Sequence, residues 1–442
     1  MTRKISKVAE KIFSIKNCGD HKNIKIFGRD IFKFNRNISI KDRLILKFEP
    51  SLYVGISDGL TLQLSFSNIC NCKCKFCCEQ NIVYSKEKED VIPDKWLYED
   101  FLVLYPRTNH LVPTYGEITV SKKSYEFLSY INKNYPEINV STETNGIAFC
   151  EKWAKLASEN LMRINFSLNA INESKYRETV WNQRDIFPLI MNNLDNYCRI
   201  LKEDGKFAFK PSASMVVNES NYQTIVDFIK LCLKKELQII VFLMDIKLFS
   251  SDCPNNNFLY DTFITLMKIE KLIKDRVFLN YKLFVPVKDL SKLQDIVDKT
   301  CMEDLRNEYS DIVSMVKNFK TLHEIHNERS LIRKNLKKKP YSYREELSGT
   351  TFHQKTYHGK MICENPWTHL RLRPNGDSAP CSWFPYKESQ NVKNYMKNNL
   401  IDFNAYFNNN YRKLLRLNFK RHKYFDCMYN CPASKDRYGK NF

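Results

Sequence analysis

At 442 residues the chain is long enough for two or three domains, and a hydrophobic content of 43% supplies the apolar side chains that their cores require. The apolar runs, such as residues 237–244, are far shorter than the roughly 18 residues of a membrane-spanning helix. The first residues lack the apolar region of a signal peptide. We therefore expect a folded, soluble protein of the cytoplasm with no membrane span.

The formal net charge of +20 favours anionic partners, such as nucleic acid, a phosphorylated small molecule or an acidic lipid surface. A genome-wide codon bias toward lysine explains the same excess equally well. The 15 cysteines cluster at two places in a long chain without an export signal. That distribution favours metal ligation by reduced thiols over disulfides.

Residues 1–56 are predicted to be an N-terminal extension, with a short helix at 6–15 and hairpin-like apolar stretches at 24–34 and 44–48. Between residues 57 and 253, β-prone runs alternate with amphipathic helical stretches, the pattern of a parallel sheet built from βα units. The strand candidates are residues 61–67, 109–113, 138–143, 162–168, 207–217 and 237–243. The predicted fold is α/β, a partial (β/α)6 TIM-like barrel with its functional residues at the C-terminal ends of the strands.

Two further segments follow the predicted barrel. Residues 254–350 combine helical spacing with many basic residues and are predicted to be a basic helical insertion. The lysine run at 337–339, followed by Pro340 and then by Ser348 and Gly349, marks its end. Residues 351–442 are predicted to form a small, cysteine-bearing C-terminal domain.

Five cysteines lie within nine residues directly after the first predicted strand of the barrel. Among them, only Cys70, Cys74 and Cys77 have the spacing C-x3-C-x2-C. Three thiolates of one loop can hold three irons of a [4Fe–4S] cube and leave the fourth iron open to another ligand. A zinc site on Cys74 and Cys77, completed by distant cysteines, is the alternative. Cys72 and Cys78 remain outside the motif.

The segment from Cys70 to Cys77 resembles the cluster motif of the radical S-adenosylmethionine (SAM) enzymes, including the aromatic Phe76 before the third cysteine. The resemblance implies that the open iron binds the amino and carboxylate groups of SAM. It also implies that an electron from the cluster cleaves SAM to methionine and a 5′-deoxyadenosyl radical, which abstracts hydrogen from the substrate. An electron donor such as flavodoxin or ferredoxin is an implied partner.

Segments after the second and third strands are similar to the SAM-binding segments of that family. Gly116 and Glu117 match part of the Gly-Gly-Glu-Pro segment that receives the ammonium group of SAM, while Tyr115 and Ile118 depart from it. Asn145 belongs to a Thr-Asn-Gly segment that closes the third strand in many members of the family. An ordinary Asn-Gly turn also explains that segment.

The fourth and fifth strands add polar candidates. Period-two alternation places Ser167 and Asn169 on one face of the fourth strand, and in the family this face meets the ribose and carboxylate of SAM. Ser214 on the fifth strand is the remaining candidate for SAM binding. The resemblance covers about residues 60–245.

The second cysteine cluster lies in the C-terminal segment. Cys363, Gly376 and Cys381 follow the pattern Cys-x12-Gly-x4-Cys, and Cys427 and Cys431 complete a set of four thiolates. This pattern resembles the twitch domain, a shortened relative of the SPASM domain, and implies one auxiliary [4Fe–4S] cluster. Residues 370–381 are predicted to form a β-hairpin that brings the first two cysteines together. A structural zinc site is the alternative.

The resemblance implies an enzyme that abstracts hydrogen from an unactivated C–H bond, of the dehydrogenase type. Its expected substrate is a sugar or another small molecule, and a phosphorylated one would suit the positive charge. A peptide-modifying maturase is the alternative within the family. A metal-stapled nucleic-acid-binding protein, using the basic charge and the 13% aromatic content, is the alternative of another class.

The sequence does not single out a catalytic base. His110 and His369 could act as bases, but their spacing to other residues does not distinguish them. His323 and His326 are two residues closer together than the histidines of a zinc-protease helix. We therefore interpret that pair as part of a solvated helix face.

Overall fold

The computed structural model describes residues 13–18, 21–26, 29–35, 59–77, 92–114, 116–181, 185–244, 257–281, 287–340, 354–357, 360–363, 368–373, 375–379, 391–409 and 412–413. Near the N-terminus, β1 (Phe13–Cys18), β2 (His21–Ile26) and β3 (Arg29–Asn35) form an antiparallel sheet. The pairing of β2 with β3 confirms the hairpin expected at residues 24–34.

The helix expected at residues 6–15 is wrong over its last three residues, which begin β1. Apolar Phe13 and Ile15 alternate with polar Ser14 and Lys16, a period that fits a strand. Strand pairing with β2 satisfies the backbone of this segment. The apolar stretch at 44–48 lies outside the described residues.

The remaining described strands include the central sheet and several short pairs. In chain order they are β4 (Leu60–Ser65), β5 (Lys73–Cys74), β6 (Thr108–Thr114), β7 (Asn139–Thr144), β8 (Arg163–Ser167), β9 (Val180–Trp181), β10 (Ser212–Val217), β11 (Ile239–Met244), β12 (Phe278–Asn280), β13 (Gln354–Tyr357), β14 (Lys360–Cys363), β15 (His369–Leu372), β16 (Ser378–Ala379), β17 (Met396–Lys397) and β18 (Leu400–Ile401). The central sheet has the order β12-β11-β10-β8-β7-β6-β4-β15-β16. All neighbours in it are parallel except β15 and β16.

Helices connect the parallel strands. The described α-helices are α1 (Asp94–Tyr98), α2 (Lys122–Asn134), α3 (Glu151–Glu159), α4 (Glu173–Thr179), α5 (Phe187–Glu203), α6 (Ile225–Lys234), α7 (Asn257–Ile273), α8 (Val287–Lys299), α9 (Met302–Glu308), α10 (Ser310–Val316), α11 (Leu322–Asn335) and α12 (Phe403–Phe407). None of the helices in the described part of the chain is long and apolar enough to cross a bilayer.

Helix α5 illustrates how the sequence specifies these connections. Its buried residues include Ile190, Leu194, Tyr197 and Leu201, which recur at intervals of three or four and so lie on one face. That face covers the sheet, while α3 packs beside α5. Burying such a side chain contributes on the order of 2 kcal/mol.

The six predicted βα units are present, but the sheet is larger than the sequence indicated. β12 pairs with β11 in parallel, so α7 connects a further βα unit instead of belonging to an insertion that starts at residue 254. β15 pairs with β4 in parallel, so the segment after residue 350 also contributes to the central sheet. The predicted hairpin at residues 370–381 is confirmed by the antiparallel pair of β15 and β16.

The central sheet has an apolar face and a polar face. In β8, Ile164 and Phe166 are buried, whereas Arg163, Asn165 and Ser167 between them are half-buried. The apolar side packs against the helices, and the polar side is the inner face of a TIM-like sheet. The inner face comprises these three residues and those level with them on neighbouring strands, Ser141, Glu143, Ser212 and Ser214.

Basic side chains from the end of α11 and the residues after it close the N-terminal ends of several strands. Lys339 Nζ donates to the carbonyl oxygen of Thr108 at 2.9 Å, at the start of β6. Lys338 Nζ donates to the carbonyl oxygen of Ile138 and to Asn160 Oδ1. Burial lowers the pKa of Lys338 to about 8. These lysines therefore lie at the end of the sheet opposite the C-terminal strand ends, where functional residues are expected.

Candidate active site

The loop that follows β4 carries the first cysteine cluster. Cys70, Cys74 and Cys77 are half-buried there. Strand β5, in the middle of the loop, pairs with β9, and Lys75 N–H donates to the carbonyl oxygen of Thr179 at 3.2 Å. The loop is therefore held from one side by the segment that follows β8.

The thiols of this loop are crowded and shielded from water. Burial raises the pKa of the Cys70 thiol to about 12, and the negative charges of Cys72, Glu117 and Cys77 add to the rise. A hydrogen bond with Cys72, and then burial, raise the pKa of the Cys74 thiol. Three thiolates in such a place require a strong local cation. The donor set therefore fits an iron–sulfur cluster, whose irons supply that charge.

The spacing of the side chains bears on the zinc alternative. Within the residues that the structure describes, no three histidine, cysteine, aspartate or glutamate side chains surround one common metal position. A single zinc ion needs its thiolates at about 2.3 Å from one centre. In an iron–sulfur cube each thiolate binds a different iron, so the sulfurs stand farther apart. The distant cysteines that would complete a zinc site with Cys74 and Cys77 include Cys381, Cys427 and Cys431, which lie outside the described residues.

Gly116 lies against the cysteine loop. Its φ is +58°, and a Cβ atom there would be 2.3 Å from the carbonyl oxygen of Ile69 and 2.7 Å from that of Ser67. Only glycine fits such a contact with a left-handed backbone. The structure thus brings the Gly-Glu segment and the cysteine loop together, and several backbone carbonyls crowd at this point.

The Glu117 carboxylate ties two strand ends together. Its Oε1 accepts from Thr119 N–H, Thr119 O–H and Thr144 O–H, and its Oε2 accepts from Asn145 N–H at 2.6 Å. Burial raises its pKa, and these hydrogen bonds oppose the rise. The carboxylate that was expected to meet the ammonium group of SAM is therefore engaged in holding the ends of β6 and β7.

Asn145 links the next turn to the cysteine loop. Its Nδ2 donates to Asn71 Oδ1 at 2.7 Å, and its Oδ1 accepts from Ile147 N–H at 3.0 Å. Gly146 follows with φ +79°, and a Cβ atom there would lie 2.8 Å from Ile190. The Thr-Asn-Gly segment is thus both a tight turn and a neighbour of the cysteines.

Asn169 differs from its expected position on the face of a strand. β8 ends at Ser167, and Asn169 has φ +57°. Its Oδ1 accepts from Val216 N–H at 2.8 Å, and its Nδ2 donates to the carbonyl oxygen of Ser167. The alternation breaks because asparagine tolerates the left-handed backbone and caps the neighbouring strand. Asn169 joins β8 to β10.

Ser167 and Ser214 lie level with each other on neighbouring strands. Ser214 is buried and accepts from Asn165 Nδ2 at 2.8 Å, whereas Ser167 is half-buried at the C-terminal end of β8. Phe76, in the turn before Cys77, is partly buried against the core. Ser167 is therefore more accessible to a ligand than Ser214.

Glu143 is a further candidate residue, which the sequence did not single out. The side chain is exposed, and it lies level with Asn165 on the inner face, at the C-terminal end of β7. Water reaches the side chain on the inner face of the sheet, but the protein atoms around it displace part of its hydration and raise its pKa, and the charge of Glu117 adds to the rise. The period-two pattern of Asn139, Ser141 and Glu143 is the signal that could have identified it.

The four histidines considered in the sequence analysis lie away from this strand-end site. His110 Nε2 is 2.6 Å from Ser141 Oγ, and His369 Nε2 is 3.3 Å from Gln63 Oε1, both within the sheet. His323 and His326 are on α11, at the opposite end of the strands.

The second cysteine cluster is described only in part. Cys363 is the last residue of β14 and pairs with Gln354 of β13. Cys381, Cys427 and Cys431 lie outside the described residues, as do Tyr115 and Cys78. The auxiliary cluster on these four cysteines stays a prediction.

Comparison with known families agrees with the geometry of the first site. Residues 64–232, which run from β4 into α6, match the family model described as the radical SAM superfamily. Over these residues the chain is similar to the radical SAM superfamily. The matched segment includes the cysteine loop, Gly116, Glu117 and the ends of β7, β8 and β10.

Curated relatives match parts of the chain. It is 26% identical over 117 residues to the GTP 3′,8-cyclase of Paenarthrobacter nicotinovorans, covering 26% of this chain and 33% of the relative. It is 24% identical over 183 residues to the GTP 3′,8-cyclase of Campylobacter lari, covering 41% of this chain and 55% of the relative. The chain therefore spans about a third to a half of the length of these relatives.

Among solved structures, SuiB of Streptococcus suis bound to S-adenosylmethionine is similar to this chain with a TM-score of 0.48 and 12% identity. The likeness covers 89% of this chain and 75% of that one.

Proposed function

We propose that the chain is a radical SAM enzyme that holds a [4Fe–4S] cluster on Cys70, Cys74 and Cys77 and cleaves SAM reductively. The observation that carries the proposal is the loop of three half-buried thiols after β4, inside the segment that matches the radical SAM superfamily. When bound, the cluster and SAM together supply a 5′-deoxyadenosyl radical that removes a hydrogen atom from the substrate. An external donor such as flavodoxin or ferredoxin provides the electron.

The residues around the loop have distinct roles in this proposal. The carbonyl-rich contact of Gly116 with Ile69 accepts the ammonium group of SAM, and Glu143 supplies negative charge nearby. The Ser167 hydroxyl binds the polar part of SAM, and Phe76 covers it with an apolar ring. The strand ends that line the site are oriented by side-chain hydrogen bonds of Glu117, Asn145, Asn169 and Ser214.

The inner face of the sheet favours an anionic small molecule as the substrate. Arg371 of β15 is half-buried, lies between the buried Leu370 and Leu372, and is level with Gln63 of β4. Arginine binds carboxylates and phosphates through planar, charge-assisted hydrogen bonds. We infer an oxidation of the dehydrogenase type on a sugar or similar small molecule that carries such a group.

An auxiliary [4Fe–4S] cluster on Cys363, Cys381, Cys427 and Cys431 completes the proposal. The support is the pairing of β15 with β4, because it attaches the segment between Cys363 and Cys381 to the barrel beside the cysteine loop. An auxiliary cluster near the site could take the second electron of a substrate oxidation.

The proposal is tested by anaerobic reconstitution and analysis of iron, sulfide and zinc. About eight irons per chain are expected, and replacement of Cys70, Cys74 and Cys77 together by Ala should leave about four. The control Cys232→Ala removes a thiol that is fully buried on α6, so it should keep all the iron. Reduced wild-type protein should convert SAM to 5′-deoxyadenosine. Stoichiometric zinc with intact SAM would contradict the proposal.

Cyclisation of a nucleotide is the second candidate function, because the curated relatives named above are GTP 3′,8-cyclases. The test incubates the reduced protein and SAM with GTP and measures 5′-deoxyadenosine and loss of GTP. GTP-dependent turnover that falls at least tenfold in Arg371→Met would favour the nucleotide. If the rate of SAM cleavage is the same with and without GTP, the result would contradict the nucleotide cyclisation, and the oxidation would stay the proposed function.

A further inference from the structure

Cys72 is the cysteine of the loop that the C-x3-C-x2-C motif leaves out, yet it contacts two members of that motif. Its backbone N–H donates to Cys70 Sγ at 3.4 Å. A side-chain hydrogen bond joins it to Cys74. Its side chain is only 4% exposed, so it packs inward while the three motif cysteines stay half-buried. Cys72 is therefore a neighbour of the ligand sulfurs.

Tyr176 extends this contact into the core. Its hydroxyl oxygen lies 3.7 Å from Cys72 Sγ, a distance at which sulfur forms hydrogen bonds. The side chain is 1% exposed and its ring packs against Phe187. Tyr176 belongs to α4, which leads directly into β9, the strand that pairs with β5 of the cysteine loop. The position of the hydroxyl relative to Cys72 is thus fixed from both sides.

The direction of these hydrogen bonds follows from the chemistry of ligation. Once Cys74 binds iron, its sulfur carries no proton, so the hydrogen shared between the two sulfurs belongs to Cys72. Cys72 then donates to Cys74 through its thiol and to Cys70 through its backbone N–H. Its own sulfur accepts from the Tyr176 hydroxyl, and such chained hydrogen bonds strengthen one another.

Hydrogen bonds to ligand sulfurs are one of the factors that set the potential of an iron–sulfur cluster. Reduction adds one electron to the cluster, and a donor that points at a sulfur stabilises the added negative charge. We propose that Tyr176 and Cys72 form a hydrogen-bond relay to the sulfurs of Cys70 and Cys74 that raises the reduction potential of the cluster bound there. This rests on the proposed function, since it requires a cluster on those cysteines.

The test is a redox titration of the reconstituted protein with dithionite, followed by the electron paramagnetic resonance of the reduced cluster. Cys72→Ala should lower the ratio of reduced to oxidised cluster at the wild-type midpoint by up to about tenfold, which is about 59 mV for a one-electron couple. Tyr176→Phe, which keeps the ring packing, should lower the same ratio by a smaller factor. Cys72→Ser keeps a donor and should stay closest to wild type.

Iron content and a control separate the outcomes. All three variants should keep the wild-type iron content, and the control Cys198→Ala, which removes a half-buried thiol of α5, should keep the wild-type potential. An unchanged potential in Cys72→Ala with the cluster fully bound would overturn the relay. Loss of iron in Cys72→Ala would also overturn it, because Cys72 would then be a ligand. A wild-type protein that binds no cluster would instead contradict the proposed function.

Discussion

The backbone N–H of Glu117 donates to the carbonyl oxygen of Ile69 at 2.7 Å, so the segment after β6 is bonded directly to the cysteine loop. The Glu117 side chain continues the connection to Thr144 and Asn145 after β7. Three consecutive strand ends are therefore joined through one residue. A disturbance at any of them should reach the cysteines.

Gly116→Ala should displace the cysteine loop. The added Cβ would clash with two backbone oxygens, which cannot rotate away, and the left-handed backbone adds strain of about 1–2 kcal/mol. We expect a loss of at least about 2 kcal/mol in stability and a lower iron content. Gly205→Ala is the matched control, since it also has a positive φ of +66° but no atom within 4 Å of the added Cβ. Equal effects of both substitutions on iron content would contradict the close approach at Gly116.

Asn169→Ala should cost about 2 kcal/mol, from a lost hydrogen bond to Val216 and from the left-handed backbone at this position. Asn169→Gly loses the same hydrogen bond without the Cβ strain, so it should cost about 1 kcal/mol less. Chemical denaturation of the two variants measures the difference. If the glycine variant is the less stable one, the strain argument is wrong.

Glu143→Gln should weaken SAM binding by about tenfold or more, because a charge-assisted hydrogen bond contributes on the order of 1.5–3 kcal/mol. Isothermal calorimetry under anaerobic conditions measures this. Glu219→Gln, in an exposed turn, is the control. Unchanged affinity would show that Glu143 does not face SAM.

Glu143→Gln should also change how the free energy of unfolding depends on pH. The pKa of Glu143 is raised in the folded protein, so its contribution to stability is fully present below the unfolded pKa of about 4.3 and is lost as the pH rises through the folded pKa. Glu143→Gln lacks this loss and should gain stability relative to wild type above about pH 5. Thermal melting from pH 4 to 7 tests the sign.

Lys338→Met should remove a pH dependence in the alkaline range. The pKa of Lys338 is lowered to about 8, against about 10.4 in an unfolded chain. The unfolded chain binds more protons between these values, so the wild-type free energy of unfolding rises from about pH 8 to 10. The wild-type free energy of unfolding minus that of the variant should therefore rise by about 1–3 kcal/mol over that range. Lys337→Met, at the exposed neighbouring position, should leave the wild-type slope unchanged.

The sequence was sufficient for the features that depend on local patterns. The β-prone runs at β4, β6, β7, β8, β10 and β11 alternate with amphipathic helices, and the structure has a strand at each of them. The Asn-Gly turn of the β15–β16 hairpin is likewise a local signal. These elements are specified by the residues within them.

The features that the sequence did not reveal depend on distant partners. β12 is only three residues long, and its strand state follows from pairing with β11. β15 becomes the eighth parallel strand because it lies beside β4, which no local pattern indicates. In the candidate site, the sequence indicated Glu117 and Asn169 as polar residues at strand ends. It did not indicate their hydrogen-bond partners on neighbouring strands.

The pairing of β4 with β15 also constrains the order of folding. Thr61 pairs with His369, a separation of about 300 residues, so this contact carries a large loop-closure cost and forms late. At synthesis rates of about 5–20 residues per second, β4 emerges roughly 15–60 s before its partner. During that interval one edge of β4 is uncovered, and the adjoining cysteine loop is open from that side. Delivery of iron and sulfide to the nascent chain would therefore meet a more accessible loop than delivery to the finished protein.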